Sequence, residues 1–356
     1  MSPPSRSPSA RAPSSPSDSS GSPSVSVIIP SFNAEATLEA CLCAVSGSHY
    51  PPLEVIVVDD ASSDRTAEIA SSHGSRLFGN KTQFGSAYSR NVGAMAAVGE
   101  VLVFVDADVV VNPDAISQAV DCLSQGGADA VFGSYVEEAG VPGFLNRFKN
   151  YQHHFVHQHG PDEPASFWSG CGAIKRSAFM AVGGFAAELK FCEDIEFGDV
   201  LVRGGYRIRL LKQMQAAHLK HYSFLKLVKS DLLGRAIPWT RLLRSGRSRF
   251  GNLNTDRQGV ASVALTAAAY MGVFGAFFGG QLLWVTLAAC AGLAGVNRDL
   301  LSFGAKRRGF AFLPGCFCML IAHYTICGVG YIAGHLSPRY PAERSPMVSQ
   351  PPPDAG

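Results

Sequence analysis

The chain has 356 residues, of which 47% are apolar and 16% charged, and its formal net charge is +2. The near-neutral charge argues against nucleic acid as a partner, and the length allows one sizeable domain with further segments. The apolar excess collects after residue 258. The nine cysteines lack zinc-ligand spacing, so we expect small buried hydrophobes that stay reduced.

Residues 1–24 are almost entirely Ser, Pro, Ala, Gly and Arg. A segment without an apolar face has nothing to bury, so the composition predicts disorder. The segment also lacks the apolar stretch of a signal peptide, and we therefore expect the N-terminus on the cytosolic side.

From Val25 onward, apolar β-rich runs alternate with stretches of helical spacing. The strand-like runs are SVSVIIP, LEVIVVDD and VLVFVDAD, and helical patterns follow the first two. This alternation predicts an α/β domain with a parallel sheet covered on both faces. Ligands bind at the carboxyl ends of such strands. Two acidic pairs, Asp59-Asp60 and Asp106-x-Asp108, stand at these ends, and we expect them side by side at one edge.

The second half of this region, to residue 222, predicts further strands and helices. Residues 166–211 predict a strand, a short helix, a helix that begins with acidic residues, and a final strand. The histidine-rich run YQHHFVHQHGPDEP, which begins at Tyr151, predicts a mobile loop that gates an acceptor. His218 and His221 follow the final strand, and one of them is a candidate neighbour of a diphosphate.

The rest of the chain predicts membrane association. Residues 223–258 are rich in Lys, Arg and Leu, which favours an interfacial helix on an anionic membrane, with an ordinary solvated basic face as the alternative. Residues 259–334 predict about three transmembrane helices: a hairpin interrupted at Gly279-Gly280, then a third span. Residues 335–356 predict a flexible tail.

Positive charges flank the predicted hairpin on both sides. They lie in residues 223–258 and in the predicted loop Asn297–Arg308. Because cytoplasmic segments carry an excess of Lys and Arg, we expect both in the cytosol. The sequence therefore predicts a multi-pass protein of the cell (inner) membrane with a cytosolic catalytic domain and its tail on the opposite side.

Asp106 and Asp108 suit a hard divalent cation. Two carboxylates one residue apart can hold Mg2+ or Mn2+, and phosphate oxygens complete the coordination. Without such a partner, two charges at the tip of a buried strand would be unfavourable. The pair therefore predicts half of a metal–diphosphate site.

The order of the motifs resembles the family 2 glycosyltransferases, which have the GT-A fold. The resemblance rests on SVIIPSFNAEATLEACLCAV, EVIVVDDASSDRTAEIA, GSAYSRNVGAMAAVGEVLVFVDAD, AVGGF and CEDIEFGDVLVRGGYRI, and covers about residues 25–222. It implies a Rossmann-like, mixed but mostly parallel sheet. The apolar C-terminal part is similar to the lipid-linked branch of the family.

The resemblance implies a donor site at the strand ends. Asp60, favoured over Asp59, would accept from a uracil N–H, and Arg90 would contact a phosphate or form a core ion pair. Asp106 and Asp108 would hold the metal and nucleotide, with Asp108 the more direct ligand. The residues expected to border the nucleotide base are Pro30, Ser31, Phe32 and Glu35.

The resemblance also implies an acceptor side that contains Glu193 and Asp194, with Asp194 as the general base. An inverting transfer needs one base for the acceptor's proton, while a metal neutralises the leaving diphosphate. The alternative for this acidic pair is a helix N-terminus stabilised by the macrodipole.

Trp239 belongs to an incomplete motif. Membrane-bound relatives carry Q/R-x-x-R-W, and here Arg235 and Trp239 are present while Pro238 replaces the second Arg. The departure argues against processive polymer synthesis. Trp239 is a candidate platform for an acceptor, with interfacial anchoring as the alternative.

Together these features predict an inverting, metal-dependent glycosyltransferase. It would move a sugar from a nucleotide-sugar, with a UDP-sugar favoured, to a lipid or lipid-linked acceptor at the cytosolic membrane face. The alternatives are a membrane-anchored GT-A-like protein without turnover, and a haloacid-dehalogenase-type phosphatase suggested by VFVDADVVV.

Overall fold

The computed structural model describes residues 21–251, 253 and 256–347. Most of the predicted disordered segment 1–24, and the end of the predicted tail, lie outside these residues. The first two-thirds of the described chain build one eight-stranded sheet. Its strands are β1 (Val25–Ser31), β2 (Glu54–Asp59), β3 (Arg76–Gly79), β4 (Val101–Val105), β5 (Val109–Val111), β6 (Ala130–Tyr135), β7 (Cys171–Lys175) and β8 (Ile208–His218).

The sheet is mixed and has the order β3-β2-β1-β4-β7-β6-β8-β5. Strands β1 to β4 are mutually parallel, and β6 and β8 are also parallel to each other. Strand β7 runs antiparallel to β4 and β6, as does the short β5 to β8. The predicted mixed, Rossmann-like α/β sheet is confirmed.

Helices cover both faces of this sheet. Every residue of β1 and β4 is buried, as expected for near-continuous apolar strands between two helical layers. The covering helices are α1 (Leu38–Ser46), α2 (Thr66–Ser72), α3 (Ser86–Ala96), α4 (Ala115–Ser124), α5 (Phe144–His159), α6 (Arg176–Ala181) and α7 (Glu193–Arg203).

The two acidic pairs lie at the same edge of the sheet, but they are not adjacent. Asp59 ends β2 and Asp106 follows β4, while β1 pairs with both of those strands and separates them. The expectation that the pairs lie side by side was wrong. Chain order suggested neighbouring strands, whereas the crossover after β3 inserts the new strand on the far side of β1.

The predicted acceptor-gating loop is also wrong, because the histidine-rich run lies mainly in helix α5. His154 shares its Nδ1 in a hydrogen bond with the carbonyl oxygen of Tyr135, and His157 contacts the carbonyl oxygen of Gly133. Both imidazoles are buried against β6. Helix α5 also places Phe144, Phe148, Tyr151 and Phe155 at helical spacing in a hydrophobic cluster, so packing and tertiary hydrogen bonds together fix the histidine-rich run.

The chain after residue 223 is helical. Helix α8 (Phe224–Asp231) continues through a π-helical turn, Leu232–Ala236, into α9 (Ile237–Arg244). The remaining helices are α10 (Arg257–Gly275), α11 (Leu283–Val296), α12 (Arg298–Arg308) and α13 (Leu313–Leu336). The predicted interruption at Gly279-Gly280 falls between α10 and α11, whereas the predicted loop Asn297–Arg308 is mostly helix α12.

Two of these segments, Arg257–Gly275 and Phe310–Leu336, are long and apolar enough to cross a membrane. A third candidate, Gly280–Val296 followed by Arg298–Arg308, is bent by 71° at the break between its halves. The described helices therefore offer two candidate spans, or three if the bent pair counts as one.

The segment after α13 returns to the α/β domain. Arg344 donates hydrogen bonds to the carbonyl oxygens of Val182 and Gly184, and the Tyr340 N–H donates to Ser245 Oγ. These contacts contradict the expected tail on the opposite side of a membrane from the catalytic domain. The charge pattern that predicted this topology contains no information about such contacts.

Candidate active site

A cleft of about 1570 Å³ opens at the carboxyl edge of the sheet and runs toward α9, α10 and α13. Residues from distant parts of the chain line it together. Three predicted site residues, Ser31, Glu35 and Asp60, are not among the lining residues. The predicted residues that do line the cleft are Pro30, Phe32, Arg90, Asp106, Asp108, Glu193, Asp194 and Trp239.

Arg90 joins the two acidic segments at the centre of this cleft. Its guanidinium is buried, with Nη2 donating to Asp106 Oδ1 at 2.6 Å and Nη1 donating to Glu193 Oε1 at 2.7 Å. Ser86 Oγ also donates to Glu193 Oε1 at 2.8 Å. Of the two predicted roles of Arg90, the structure contains the ion pair, and Glu193 is part of this bridge.

The position of Arg90 follows from the way α3 is fixed. Asn91, the next residue, donates to the carbonyl oxygen of Phe185 and accepts from its N–H. Gly184, the residue before Phe185, has φ +65°, and a Cβ added to it would lie 2.6 Å from Asn91 Oδ1. Only glycine can adopt this conformation so close to Asn91. The turn before Phe185 therefore fixes the position of α3.

Asp194 lies in the first turn of α7. Cys192, the residue before α7, has φ 60° and ψ 22°, a left-handed conformation that costs about 1–3 kcal/mol for a non-glycine residue. Burial and the neighbouring charge of Glu193 raise the pKa of Asp194 to about 7, against the opposing charge of Arg90. A carboxylate with this pKa can accept a proton near neutral pH.

Asp108 is a further acidic residue of the cleft, and it pairs with His218, the last residue of β8. His218 Nε2 lies 3.1 Å from Asp108 Oδ2, and the two side chains are 17% and 33% exposed. Burial acts to raise the pKa of Asp108, but the charge and hydrogen bond of His218 lower it below the usual value. Asp108 therefore remains ionised.

Asp106, Asp108 and His218 are the groups of the cleft that could hold a divalent metal. Asp108 and His218 supply an oxygen and a nitrogen at the cleft surface, whereas Asp106 Oδ1 is already bonded to Arg90. No group of three or more His, Cys, Asp or Glu with metal-binding geometry occurs in the part of the chain described. The donor set fits an ion that takes its remaining ligands from phosphate and water.

Residues 26–183 match the family model described as glycosyl transferase family 2. The chain carries a family 2 glycosyltransferase domain. This confirms the family predicted from the motifs, and the phosphatase alternative finds no support.

Two curated relatives resemble this glycosyltransferase domain. The 4,4'-diaponeurosporenoate glycosyltransferase of Staphylococcus haemolyticus is 38% identical over 27% of this chain and 27% of its own length. The UDP-Glc:alpha-D-GlcNAc-diphosphoundecaprenol beta-1,3-glucosyltransferase of Escherichia coli is 31% identical over 31% of this chain and 45% of its own. The matches thus span less than half the length of either relative.

A solved structure has a fold similar to that of this chain. The mannosyltransferase PcManGT of Pyrobaculum calidifontis, solved in complex with GDP-Man and Mn2+, has a TM-score of 0.56 and 20% identity, covering 88% of each chain. The similarity supports a GT-A-like fold.

Asp60 of the glycosyltransferase domain is buried, and it organises the loop before α3. It accepts from Asn80 Nδ2 at 2.7 Å, from the Phe84 N–H at 2.9 Å and from the Gly85 N–H at 2.7 Å. The carboxylate thereby orients the start of the helix that carries Arg90. The predicted contact with a uracil ring stays a prediction.

The other predicted base-side residues differ in exposure. Phe32 is 44% exposed beside the cleft, whereas Ser31 Oγ is buried and lacks a hydrogen-bond partner among the described residues. Glu35 is exposed and accepts from the Arg65 N–H at 3.2 Å, which ties the loop after β1 to the loop after β2.

Trp239 packs against Leu189, Cys192 and Leu242 while it lines the cleft. Its Nε1 is buried and without a partner in the described part of the chain. Sequence reasoning missed the aromatic wall nearby: Tyr135 stacks on Trp168 with ring centroids 4.3 Å apart. No spacing signal marks it, since these residues come from separate strands and loops.

Proposed function

We propose that this glycosyltransferase is an inverting, metal-dependent enzyme. It transfers a sugar from a nucleotide-sugar, with a UDP-sugar favoured, to a lipid or lipid-linked acceptor at the cytosolic face of the cell membrane. The observation that carries the proposal is that Asp194, with its raised pKa, shares one cleft with Asp108 and His218.

Asp194 is the proposed general base. An acceptor hydroxyl that attacks the anomeric carbon must lose its proton, and a half-buried carboxylate whose pKa is raised to about 7 can take it. Attack from the face opposite the leaving diphosphate inverts the configuration. The Arg90 bridge holds Glu193, and through the chain Asp194, at a fixed position relative to Asp106.

Asp108 and His218 are the proposed protein ligands of Mg2+ or Mn2+, with Asp106 beside them. Such an ion, when bound, neutralises the charge that develops on the leaving diphosphate. The mannosyltransferase neighbour was solved with Mn2+ and GDP-Man, while the Escherichia coli relative is named for UDP-Glc. These names support a divalent ion and a nucleotide-sugar for this chain.

The lipid-linked acceptor is supported by two observations. The Escherichia coli relative is named for a diphosphoundecaprenol acceptor. The cleft of this chain continues from Asp194 to the candidate membrane segments α10 and α13. A lipid tail could therefore follow the same cleft from the proposed base to an apolar surface.

The proposal is tested with the full-length protein and a panel of nucleotide-sugars, each with Mn2+, Mg2+ or EDTA. We expect hydrolysis or transfer with one nucleotide-sugar, dependence on a divalent ion, and a product with inverted anomeric configuration by NMR. Nucleotide binding without any turnover across the panel would instead favour a GT-A-like protein that does not catalyse. Equal transfer to water-soluble sugars in lipid-free detergent would contradict the lipid acceptor.

A further inference from the structure

Beyond Asp194, the cleft contains a group of charged side chains that the proposed chemistry does not use. Lys149 of α5, Asp231 of α8 and Arg235 of the π-helical turn all line this section. We call these three residues the cationic cluster. Farther along, the cleft wall is apolar and includes Val260 of α10 and Leu320 of α13.

Asp231 is shared unequally within the cationic cluster. Lys149 Nζ lies 2.6 Å from Asp231 Oδ2, and both side chains are at most 5% exposed. Arg235 Nη1 is 3.8 Å from Asp231 Oδ1, too far for a hydrogen bond. Arg235 Nη1 instead lies 3.1 Å from His153 Nε2, the one hydrogen bond of the Arg235 side chain in the described part of the chain.

The cationic cluster therefore has one more positive charge than negative charge. Burial and the charge of Arg235 hold the pKa of His153 well below its usual value, so His153 is neutral and accepts from Arg235. The Arg235 side chain is 41% exposed and lines the cleft. Because its nearest carboxylate, Asp231, is 3.8 Å away and already pairs with Lys149, the guanidinium has donors left for an anionic ligand.

Arg235 also lies next to the proposed base. Its carbonyl oxygen is 3.9 Å from Cys192 Sγ, two residues before Asp194. Its charge is close enough to lower the pKa of Asp194 against burial and the charge of Glu193. A ligand on Arg235 would therefore share the cleft with both the proposed base and the apolar residues of α10 and α13.

We infer that the cationic cluster binds the phosphate of a phosphorylated lipid acceptor, with Arg235 as the contacting group. The planar guanidinium fork matches phosphate oxygens in a bidentate manner. A phosphate held there would direct the sugar of the acceptor toward Asp194 and its hydrocarbon chain along α10 and α13. This inference rests on the proposed function and specifies its acceptor.

The test uses the full-length protein in non-ionic detergent with EDTA, so that metal-dependent donor binding does not contribute. Farnesyl diphosphate and farnesol are titrated, and quenching of tryptophan fluorescence is followed. We expect farnesyl diphosphate to bind, farnesol to bind at least tenfold more weakly, and R235Q to lower the affinity for farnesyl diphosphate at least tenfold. Equal binding of both lipids, or unchanged affinity of R235Q, would overturn the inference.

Two further variants serve as controls. K229Q removes a charge from an exposed position of the same helix as Asp231, and we expect it to bind like the wild type. R235K keeps the charge but loses the fork, so it should bind with intermediate affinity. Wild-type affinity in R235K together with R235Q would again overturn the inference.

Competition distinguishes the source of the phosphate. Neither inorganic pyrophosphate nor phosphatidylglycerol, at equal concentration, should displace farnesyl diphosphate. Full displacement by phosphatidylglycerol would assign the site to a bilayer headgroup and overturn the inference.

Binding of UDP with Mn2+, measured in parallel, separates this inference from the proposed function. R235Q should keep wild-type UDP binding, which also shows that it folds. A wild type that binds UDP but not farnesyl diphosphate would reject only the acceptor site. The opposite result would reject the nucleotide-sugar proposal while leaving the anion site.

Discussion

The two ion networks of the cleft have opposite charge balance. Around Arg90, one guanidinium serves two carboxylates, Asp106 and Glu193. Around Asp231, one carboxylate serves two cations, Lys149 and Arg235. The charge therefore changes sign along a single continuous cleft.

This difference indicates what each end of the cleft is suited to bind. A surplus carboxylate beside Asp108 favours a cation, and with it a metal-bound diphosphate. A surplus guanidinium favours an anion. Buried ion pairs contribute little to stability once the cost of desolvation is counted. The unequal pairing of charges in the two networks therefore favours a ligand-binding role for each network.

The largest effect should come from the base that lies between the two networks. Asp194→Asn removes the proton acceptor and keeps the size of the side chain, so we expect kcat to fall by about 10²–10⁴-fold. Binding of UDP with Mn2+ should change little. Transfer of labelled sugar and calorimetric titration of UDP measure the two quantities, and unchanged turnover would remove Asp194 from the mechanism.

Arg90 tests whether the acidic network depends on its cation. Arg90→Met leaves the buried Glu193 and the partly exposed Asp106 without their cation, and breaking a buried pair in this way costs about 3–5 kcal/mol of unfolding free energy. Denaturant unfolding followed by circular dichroism measures the change. Arg65→Met, which removes an exposed ion pair with Glu68, should have little effect, and equal losses in both variants would contradict the bridge.

Asp108 distinguishes the two ends of the cleft by ligand. Asp108→Ala should weaken Mn2+-dependent binding of UDP by at least about tenfold, because it removes a proposed metal ligand. Binding of UDP in EDTA, and of farnesyl diphosphate, should match the wild type. If Asp108→Ala weakens UDP binding equally with and without Mn2+, its role is not metal binding.

The smallest effect is the pH dependence of turnover. Because the pKa of Asp194 is raised to about 7, its carboxyl group is increasingly protonated below that pH and cannot accept a proton. We expect kcat/KM to fall about tenfold per pH unit on the acid side and to level off above pH 7. The residual activity of Asp194→Asn should lack this acid limb; an identical limb in the variant would assign it to another group.

The sheet was predictable because its apolar runs are typical of buried strands. β1, β2 and β4 are buried Val and Ile runs that end in polar residues, and the structure places them as expected. The insertion of β1 between the acidic strands was not predictable from chain order. It depends on which side of β1 the crossover places β4.

The candidate site was predictable where motifs carry chemistry, and less so where residues act through neighbours. Asp108 and Asp194 were found from their position at a strand end and a helix start. The burial of Asp60 by backbone donors and the pairing of Arg90 with Glu193 depend on contacts between segments far apart in sequence. Arg235 was noted only as part of an incomplete motif, since its charge imbalance arises from Lys149 on another helix.

The contact between Arg344 and the α/β domain has a consequence for experiments on the intact protein. Arg344 is hydrogen-bonded to the turn at Gly184, the same turn that approaches Asn91 and so sets the position of Arg90. Truncation before Arg344 should therefore loosen the catalytic half even though it removes no cleft residue. If α10 and α13 span a membrane, reporters placed before β1 and after Arg344 should give the same side, because a segment bonded to the domain lies on the side of the domain.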